Sequence, residues 1–402
     1  MPKRSEVTAA YESQRPLKLA LSGLGLAGNM MIRAASEHPK FVLYAGADPR
    51  PEPRGAFERD FGAKTFADFR SLCSDPEIDV IYIASPHQYH AEQAIMAAEA
   101  GKNIILEKPL ALTLEDSDRI IEAAERTGVM LIVGHTHAFD PNIRAVRSLL
   151  RSGKLGRLGM ILNFNYTDFL CRPRTPAELD TAQGGGIAFN QVSHQIEIAR
   201  QIGGGMVRSV RANVGRLEIS RPTEGNCTAL LEFEDGACAT LIYSAYDFFD
   251  SDEFHDWVAE GGQRKPAGQW GQTRKRVLSG TVAEAELQKK MAYGDRVLPP
   301  EQPYLPHFGI TIVTCERGDI RITPEGLAVY GIEGRSDLEV ERGEGRPGHG
   351  DVLDSVWAAI RHGQRDFHDA RWGKATLEVI LAILQSAREG REIGLVHQVA
   401  CP

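Results

Sequence analysis

Between Pro16 and Asp140 the chain repeats one pattern: a short, almost unbroken apolar run, then an amphipathic stretch, then another apolar run. Leu17–Ser22, Phe41–Ala47, Val80–Ala84, Asn103–Leu106 and Val129–Gly134 are the runs. Strands that are apolar on both sides must be covered on both faces, which is the condition of a parallel sheet. Helical patterns such as Glu92–Ala100 and Leu114–Thr127 lie between them and supply the covering layers. Alternation of this kind predicts a doubly wound sheet.

Beyond Asn142 the texture changes. Met160–Tyr166, Val207–Glu218, Thr228–Phe233, Ala237–Tyr246 and Gly309–Ile322 alternate apolar and polar residues, and Glu234-Asp235-Gly236 is a turn signal between two of them. These features predict antiparallel hairpins in one open sheet. A helix over Ala188–Ile202 interrupts them and stops at Gly203-Gly204-Gly205. The stretch 261–300 is rich in Gly, Gln, Lys and Arg and reads as an insertion or lid, while 351–390 returns to closing helices.

Composition narrows the function. With 402 residues, 42% of them hydrophobic and 25% charged, the chain can build two domains with sizeable cores. A net charge of −8 argues against a nucleic-acid binder. The six cysteines are scattered with no CxxC pair, which suits reduced thiols better than a disulfide framework or a metal site. Residues 1–15 read as a flexible tail without the apolar core of a signal peptide, and no apolar run approaches the ~18 residues of a membrane span. A cytoplasmic protein with no membrane or nucleic-acid partner is expected.

Three motifs carry chemistry. Gly23-Leu24-Gly25-Leu26-Ala27-Gly28 stands between the first apolar run and a helix. Its glycines allow a tight turn, close approach of a pyrophosphate to the backbone, and close packing of helix on strand. Asp48 lies at the end of the second run, where it can accept both ribose hydroxyls of NAD and repel a 2′-phosphate. Arg50 keeps NADP open. The α/β chain is therefore expected to hold an N-terminal Rossmann domain (16–140). A C-terminal α+β domain (141–402) with a large open, mainly antiparallel sheet should follow it.

The second motif is a pair of strand ends, Ser85-Pro86-His87-Gln88-Tyr89-His90 and Glu107-Lys108-Pro109. Open α/β sheets bind ligands at the carboxyl ends of their strands. A desolvated Lys108 beside a nicotinamide should have a lowered pKa and exchange a proton with a substrate hydroxyl. A solvated surface lysine is the plainer reading of that residue alone. In the third motif a glycine run, Gly184-Gly185-Gly186, leads into Asn190 and His194, which share a face at i and i+4 if the segment is an α-helix. A buried structural histidine is the plainer alternative here.

Together GLGLAG, SPHQYHAE, EKPLALT, GGGIAFNQVSH and the closing RWGKATLEVILAILQSAREGREI resemble the glucose–fructose oxidoreductase, inositol dehydrogenase and rhizopine-catabolism (Gfo/Idh/MocA) family. The resemblance implies reversible hydride transfer between a nicotinamide and a hydroxyl-bearing carbon, with Lys108 and His194 as the catalytic pair. By the same carry-over Pro86, His90 and Glu107 join Gly23, Gly25, Ala27, Gly28, Asp48 and Arg50 at the cofactor, where the strand-end residues Ser85 and Lys108 are also expected. It also implies a homo-oligomer (dimer or tetramer) through the C-terminal sheet. Two positions depart from the family: Asn190 stands where Asp is usual and cannot ionise, and Ala138 occupies the place of a common Arg.

The segments GHTHAFDP, NYTDFLCRPRTPAELD, NQVSHQ and YDFFDSDEFH are similar to the phthalate cis-dihydrodiol dehydrogenase branch. That likeness implies a carboxylated aromatic cis-dihydrodiol oxidised to a catechol. On an extended backbone Arg172 and Arg174 project to one side and form either a carboxylate clamp or a basic surface loop. His135 and His137 share a strand-end face, and substrate hydrogen bonding is favoured there over metal ligation. A sugar or inositol dehydrogenase and a non-catalytic cofactor-binding sensor are the alternatives; a panel of diols, inositols and sugars discriminates them.

Overall fold

The computed structural model describes residues 15–134, 136–278, 284–290, 292–295, 302–342 and 346–402. The proposed tail therefore lies outside the described residues except for Arg15, whose guanidinium grips Asp79 at 2.7 and 2.8 Å.

The first half forms a parallel sheet of β1 (Leu17–Ser22), β2 (Phe41–Ala47), β3 (Lys64–Phe66), β4 (Val80–Ile83), β5 (Asn103–Glu107) and β6 (Leu131–Gly134). Its spatial order is β3-β2-β1-β4-β5-β6. The order reverses between β1 and β4, and a crevice opens at the carboxyl ends of those two strands. Leu19, Leu21, Val80, Tyr82, Ile105 and Ile132 pack one face of this sheet, while Ala20, Ile81, Ile83, Ile104 and Leu106 belong to the core on the other. The apolar runs are thus strands covered on both sides. Helix Leu114–Thr127 shows why such elements are local in origin: Thr113 caps Asp116 N–H, and Gly128 ends the helix in a left-handed conformation (φ 71°).

The second sheet contains β7 (Leu158–Tyr166), β8 (Val207–Gly215), β9 (Asn226–Phe233), β10 (Cys238–Ser244), β11 (Ile310–Cys315), β12 (Gly318–Thr323), β13 (Gly326–Gly331), β14 (Gly334–Glu339) and β15 (Ile393–Gly394). The order is β14-β13-β12-β11-β7-β10-β9-β8-β15. Pairing is antiparallel except between β7 and β10, where Cys238 to Ser244 run alongside Met160 to Tyr166. That parallel pair needs a long crossover, and the connection carries the third motif.

Three expectations need correction. Gly309–Ile322 reads as one strand but is the hairpin β11–β12: the polar run Glu316-Arg317-Gly318-Asp319 interrupts the apolar alternation and holds the turn. The hairpin β13–β14 was not foreseen; every residue of β14 is exposed, so it carries no apolar alternation. The helix Ala188–Ile202 is two pieces, a π-turn Ala188–Val192 and an α-helix Ser193–Ile202.

All ten residues of helix Ser193–Ile202 are buried. Of the closing helices, Ala370–Glu389 packs beside it, on β8 and against β6, while His349–His362 packs on helix Leu26–Glu37 and the turn Thr136–Phe139. Arg200 stacks on Trp372 at 3.8 Å and gives Nη1 to Thr376 and the Trp372 carbonyl, and Glu197 accepts hydrogen bonds from Trp372 and Thr376, so most of the buried polar groups here are paired. This rigid floor holds the crossover segment against the carboxyl ends of the parallel strands.

Candidate active site

At the β1/β4 crevice, Gly23 has a φ of +95°, and a side-chain carbon there would fall 2.5 Å from the Ala84 carbonyl oxygen. At Gly28 the same carbon would meet the Gly23 oxygen at 2.1 Å. Neither position admits a side chain. At Gly25, by contrast, an added Cβ meets nothing within 4 Å. Gly25 caps helix Leu26–Glu37 without any side-chain bond, and Ala27 lies in its first turn. Unfilled N–H groups at a helix start, with open space before them, suit a pyrophosphate. Across the crevice the Ser85 hydroxyl is buried without a hydrogen-bond partner among the described residues. The residues present fit a dinucleotide.

Asp48 is not waiting empty for a ribose. Its carboxylate accepts Leu24 N–H at 3.0 Å and, from Arg50, N–H at 2.9 Å and Nε and Nη2 at 2.8 Å. Burial opposes its ionised form, but the Arg50 bonds outweigh this and lower the pKa. For a ribose diol to reach Asp48, the Arg50 fork must swing away.

Pro86 starts the short turn His87–Tyr89 and is exposed. His90, expected at the cofactor, is fully enclosed at 0% exposure. Its Nδ1 meets the Pro109 carbonyl at 2.8 Å and its Nε2 the Ser85 carbonyl at 3.0 Å. Burial lowers its pKa to about 4, so the ring is neutral; its single N–H donates to one of the two carbonyls, and the ring lies wedged between the two strand-end loops. Glu107 accepts the Tyr82 hydroxyl at 2.6 Å and Lys108 N–H at 3.2 Å, and burial raises its pKa.

Lys108 Nζ donates to the Asn190 carbonyl at 2.9 Å. Burial lowers its pKa to about 8; the charge of Glu107 opposes the shift and that of Arg174 adds to it. A neutral amine is therefore available near physiological pH. Asn190 contributes that carbonyl, while its Nδ2 donates to the carbonyls of Gly184 (3.1 Å) and Gly186 (2.8 Å). The π-turn breaks the expected α-helical spacing, so the Asn190 amide faces the glycine run. The His194 ring lies instead against His137 (centroids 5.0 Å) and Phe308 (4.9 Å).

His137 sits in the turn Thr136–Phe139, and its Nδ1 is 2.9 Å from Asp140 Oδ2. His135 lies outside the described residues. Arg172 and Arg174 both lie over the Phe169 ring, at 5.8 and 3.8 Å. Their bonding differs. Arg174 gives Nε and Nη2 to the Phe169 carbonyl and Nη1 to Glu178. Arg172 gives Nε to Asp168 at 2.7 Å, and neither of its Nη atoms is bonded among the described residues.

The structure thus gathers Lys108, Asn190, His194, His137, Arg172 and Arg174 within contact or electrostatic reach of one another. It also supplies residues the motifs do not announce. Tyr243 donates to Gln191 at 3.0 Å beside Phe308, and Glu260 accepts from Asn165 at 3.1 Å. Glu260 comes from the loop after β10, where Asp256 (φ 52°) and Trp257 (φ 61°) hold left-handed backbone that few side chains adopt. Strain of that kind collects at functional walls. In the stretch read as an insertion or lid, Thr273 bonds Asp168 at 2.8 Å. Further on, Tyr293 N–H donates to the Leu24 carbonyl at 2.9 Å, so the segment also touches the glycine-rich loop. Among the described residues no His, Cys, Asp and Glu group is placed to hold a metal ion, and no helix is long and apolar enough to cross a membrane.

Residues 17–135 match the oxidoreductase family model with an NAD-binding Rossmann fold, and 143–255 match the GFO/IDH/MocA C-terminal domain. The chain belongs to the Gfo/Idh/MocA oxidoreductases. It is 36% identical to the 1-carboxy-3-chloro-3,4-dihydroxycyclohexa-1,5-diene dehydrogenase of Comamonas testosteroni, over 92% of this chain and 95% of that one. A solved structure from Bordetella bronchiseptica RB50 is 44% identical with a TM-score of 0.91, covering 94% of this chain and 100% of its own. Levoglucosan dehydrogenase in complex with NADH and levoglucosan shares the fold at 20% identity and a TM-score of 0.73, over 95% and 100%. Like its Gfo/Idh/MocA relatives, the chain is an NAD-dependent dehydrogenase.

Proposed function

We propose that this Gfo/Idh/MocA enzyme oxidises a ring cis-dihydrodiol bearing a carboxylate, and that the ketone formed enolises to a catechol. The observation that carries the reading is Arg172: a guanidinium at the cleft with both Nη atoms unbonded among the described residues. Arg forks hold carboxylates bidentately. Because Arg174 is already committed to Glu178 and Phe169, the pair favours one ring carboxylate over two. The Comamonas relative, whose name includes a carboxylated dihydroxycyclohexadiene, supports the same substrate class.

Bound NAD supplies the hydride acceptor. Lys108, neutral above about pH 8, takes the proton of the reacting hydroxyl. His194 holds the hydroxyls, and Arg172 fixes the ring by its carboxylate, which aligns the carbinol carbon. Fully enclosed His90 acts from behind, wedged between the Ser85 and Pro109 loops.

The test is a substrate panel with NAD: a carboxylated cis-dihydrodiol, its uncharged analogue, an inositol and a neutral sugar. The carboxylated diol should have the highest kcat/KM. A charged hydrogen bond of roughly 1.5–3 kcal/mol gives an advantage over the uncharged ring of about 10- to 150-fold. Turnover of inositol or sugar with the diols ignored would sink the reading. The same proposal places the enzyme in the cytoplasm, as a homo-oligomer through the open face of the second sheet, where Met160 and Leu230 are 44% and 39% exposed. A monomer by light scattering would remove the oligomer.

A further inference from the structure

The cleft contains a base that alcohol oxidation does not use. His137 Nδ1 is 2.9 Å from the Asp140 carboxylate, and Asp140 is 2% exposed. A carboxylate only accepts, so Nδ1 carries a proton and Nε2 is the titrating atom. Nε2 has no hydrogen bond among the described residues, and the His137 side chain is 16% exposed, while the His194 ring stands edge-on to it at 5.0 Å. This is the arrangement of an oriented acid–base imidazole with an open working nitrogen.

Charged and titratable groups face His137 from several elements. Asp140 belongs to its own loop, Lys108 follows β5, and His194 lies on the buried helix. Glu260 comes from the loop after β10, His307 precedes Phe308, and His349 opens the helix His349–His362. Burial disfavours the charged ring, but Asp140, aided by Glu260, overcomes both that and the repulsion of Lys108, and raises the pKa.

We propose that His137, positioned by Asp140, takes the ring C–H proton in the aromatising step, so that the enzyme itself makes the catechol. This rests on the dihydrodiol reading. After oxidation the ring carries a ketone beside a carbon that still holds H and OH, and Lys108 holds the proton of the oxidised hydroxyl. The C–H bond breaks and its electron pair becomes the new ring double bond, while the proton goes to His137 Nε2. The carbonyl π pair moves onto oxygen, which takes its proton back from Lys108. No electrons are gained or lost, Lys108 is again neutral, and His137 passes one proton to water.

Rapid mixing of the holoenzyme with the carboxylated diol, following reduced cofactor and catechol together, tests this. The readout is catechol formed per reduced cofactor, which does not depend on how much total rate a substitution costs. In wild type the two should rise in step. In His137→Asn the catechol should trail by about a hundredfold or more, the lower side of acid–base contributions, with hydroxyketone recovered on quenching. Asp140→Asn should show a smaller lag and move the acid limb of catechol formation to lower pH, since the ring loses its carboxylate; Asp140→Glu should restore both. Catechol in step with reduced cofactor in both His137→Asn and Asp140→Asn overturns the proposal alone. A wild type that produces no reduced cofactor from the diol overturns the substrate reading, and this proposal with it.

Discussion

The nucleotide end and the proposed substrate wall of this enzyme are built by different means. The nucleotide end is almost contiguous: six residues, Gly23 to Gly28, form the turn, and the steric contacts that demand glycine involve that loop and the neighbouring Ala84-Ser85 backbone. The proposed substrate wall gathers Lys108, His137, Arg172, His194, Tyr243 and Glu260 from separate segments. A turn that binds phosphate through backbone N–H groups has little freedom in sequence. A wall that binds through side chains can exchange them one by one on the same scaffold, which is how one fold serves many substrates.

Lys108 joins the two regions, and its removal should have the largest effect. Lys108→Ala should lower kcat by about 10²–10⁴-fold while NADH fluorescence titration still shows binding. Near-normal turnover would break the comparison and shift the proton transfer to His194.

The two arginines sharpen it within the wall. Arg172→Met should raise KM for the carboxylated diol by roughly tenfold or more and leave the uncharged analogue nearly unchanged. Arg174→Met should act on the protein instead, since it removes three hydrogen bonds and a 3.8 Å stacking contact from a side chain 8% exposed. A loss of about 1–3 kcal/mol in unfolding free energy is expected. The charge of Arg174 also lowers the Lys108 pKa, whereas that of Glu107 raises it. Oxidation should therefore gain rate as pH rises through about 8; the limb should move up in Arg174→Met and down in Glu107→Gln. Equal KM effects from both arginines would restore a two-armed clamp.

The smallest effect belongs to the nucleotide end. The Arg50 side chain is 44% exposed, so its pair with Asp48 contributes at most about 1 kcal/mol. Arg50→Ala should tighten NADH by up to about fivefold by freeing the carboxylate, and should weaken NADPH. A titration in which NADH loosens would assign Arg50 a direct part in holding NAD.

The apolar runs of β1, β2, β4, β5 and β6 were legible because a strand covered on both faces has no polar side to hide its pattern. Strand β14 was invisible for the opposite reason, being exposed along its whole length. Lys108 was legible as a strand-end residue, and Asp140 stood three residues from His137 without any pattern marking it as a partner. Glu260 left no local signal, because its place depends on the left-handed backbone before it and on Asn165, ninety-five positions away.

Sequence by itself determined the parallel sheet, the dinucleotide turn and the strand ends where chemistry is placed, since backbone sterics and apolar periodicity act over a few residues. Tertiary structure alone decided that Arg50 covers Asp48, that His90 is a strut, that a π-turn aims the Asn190 carbonyl at Lys108, and that Arg174 is spent while Arg172 is open. Those are competitions among hydrogen-bond partners remote in the chain or set by loop geometry. Their outcome depends on which donors and acceptors the packed core brings within about 3 Å of one another.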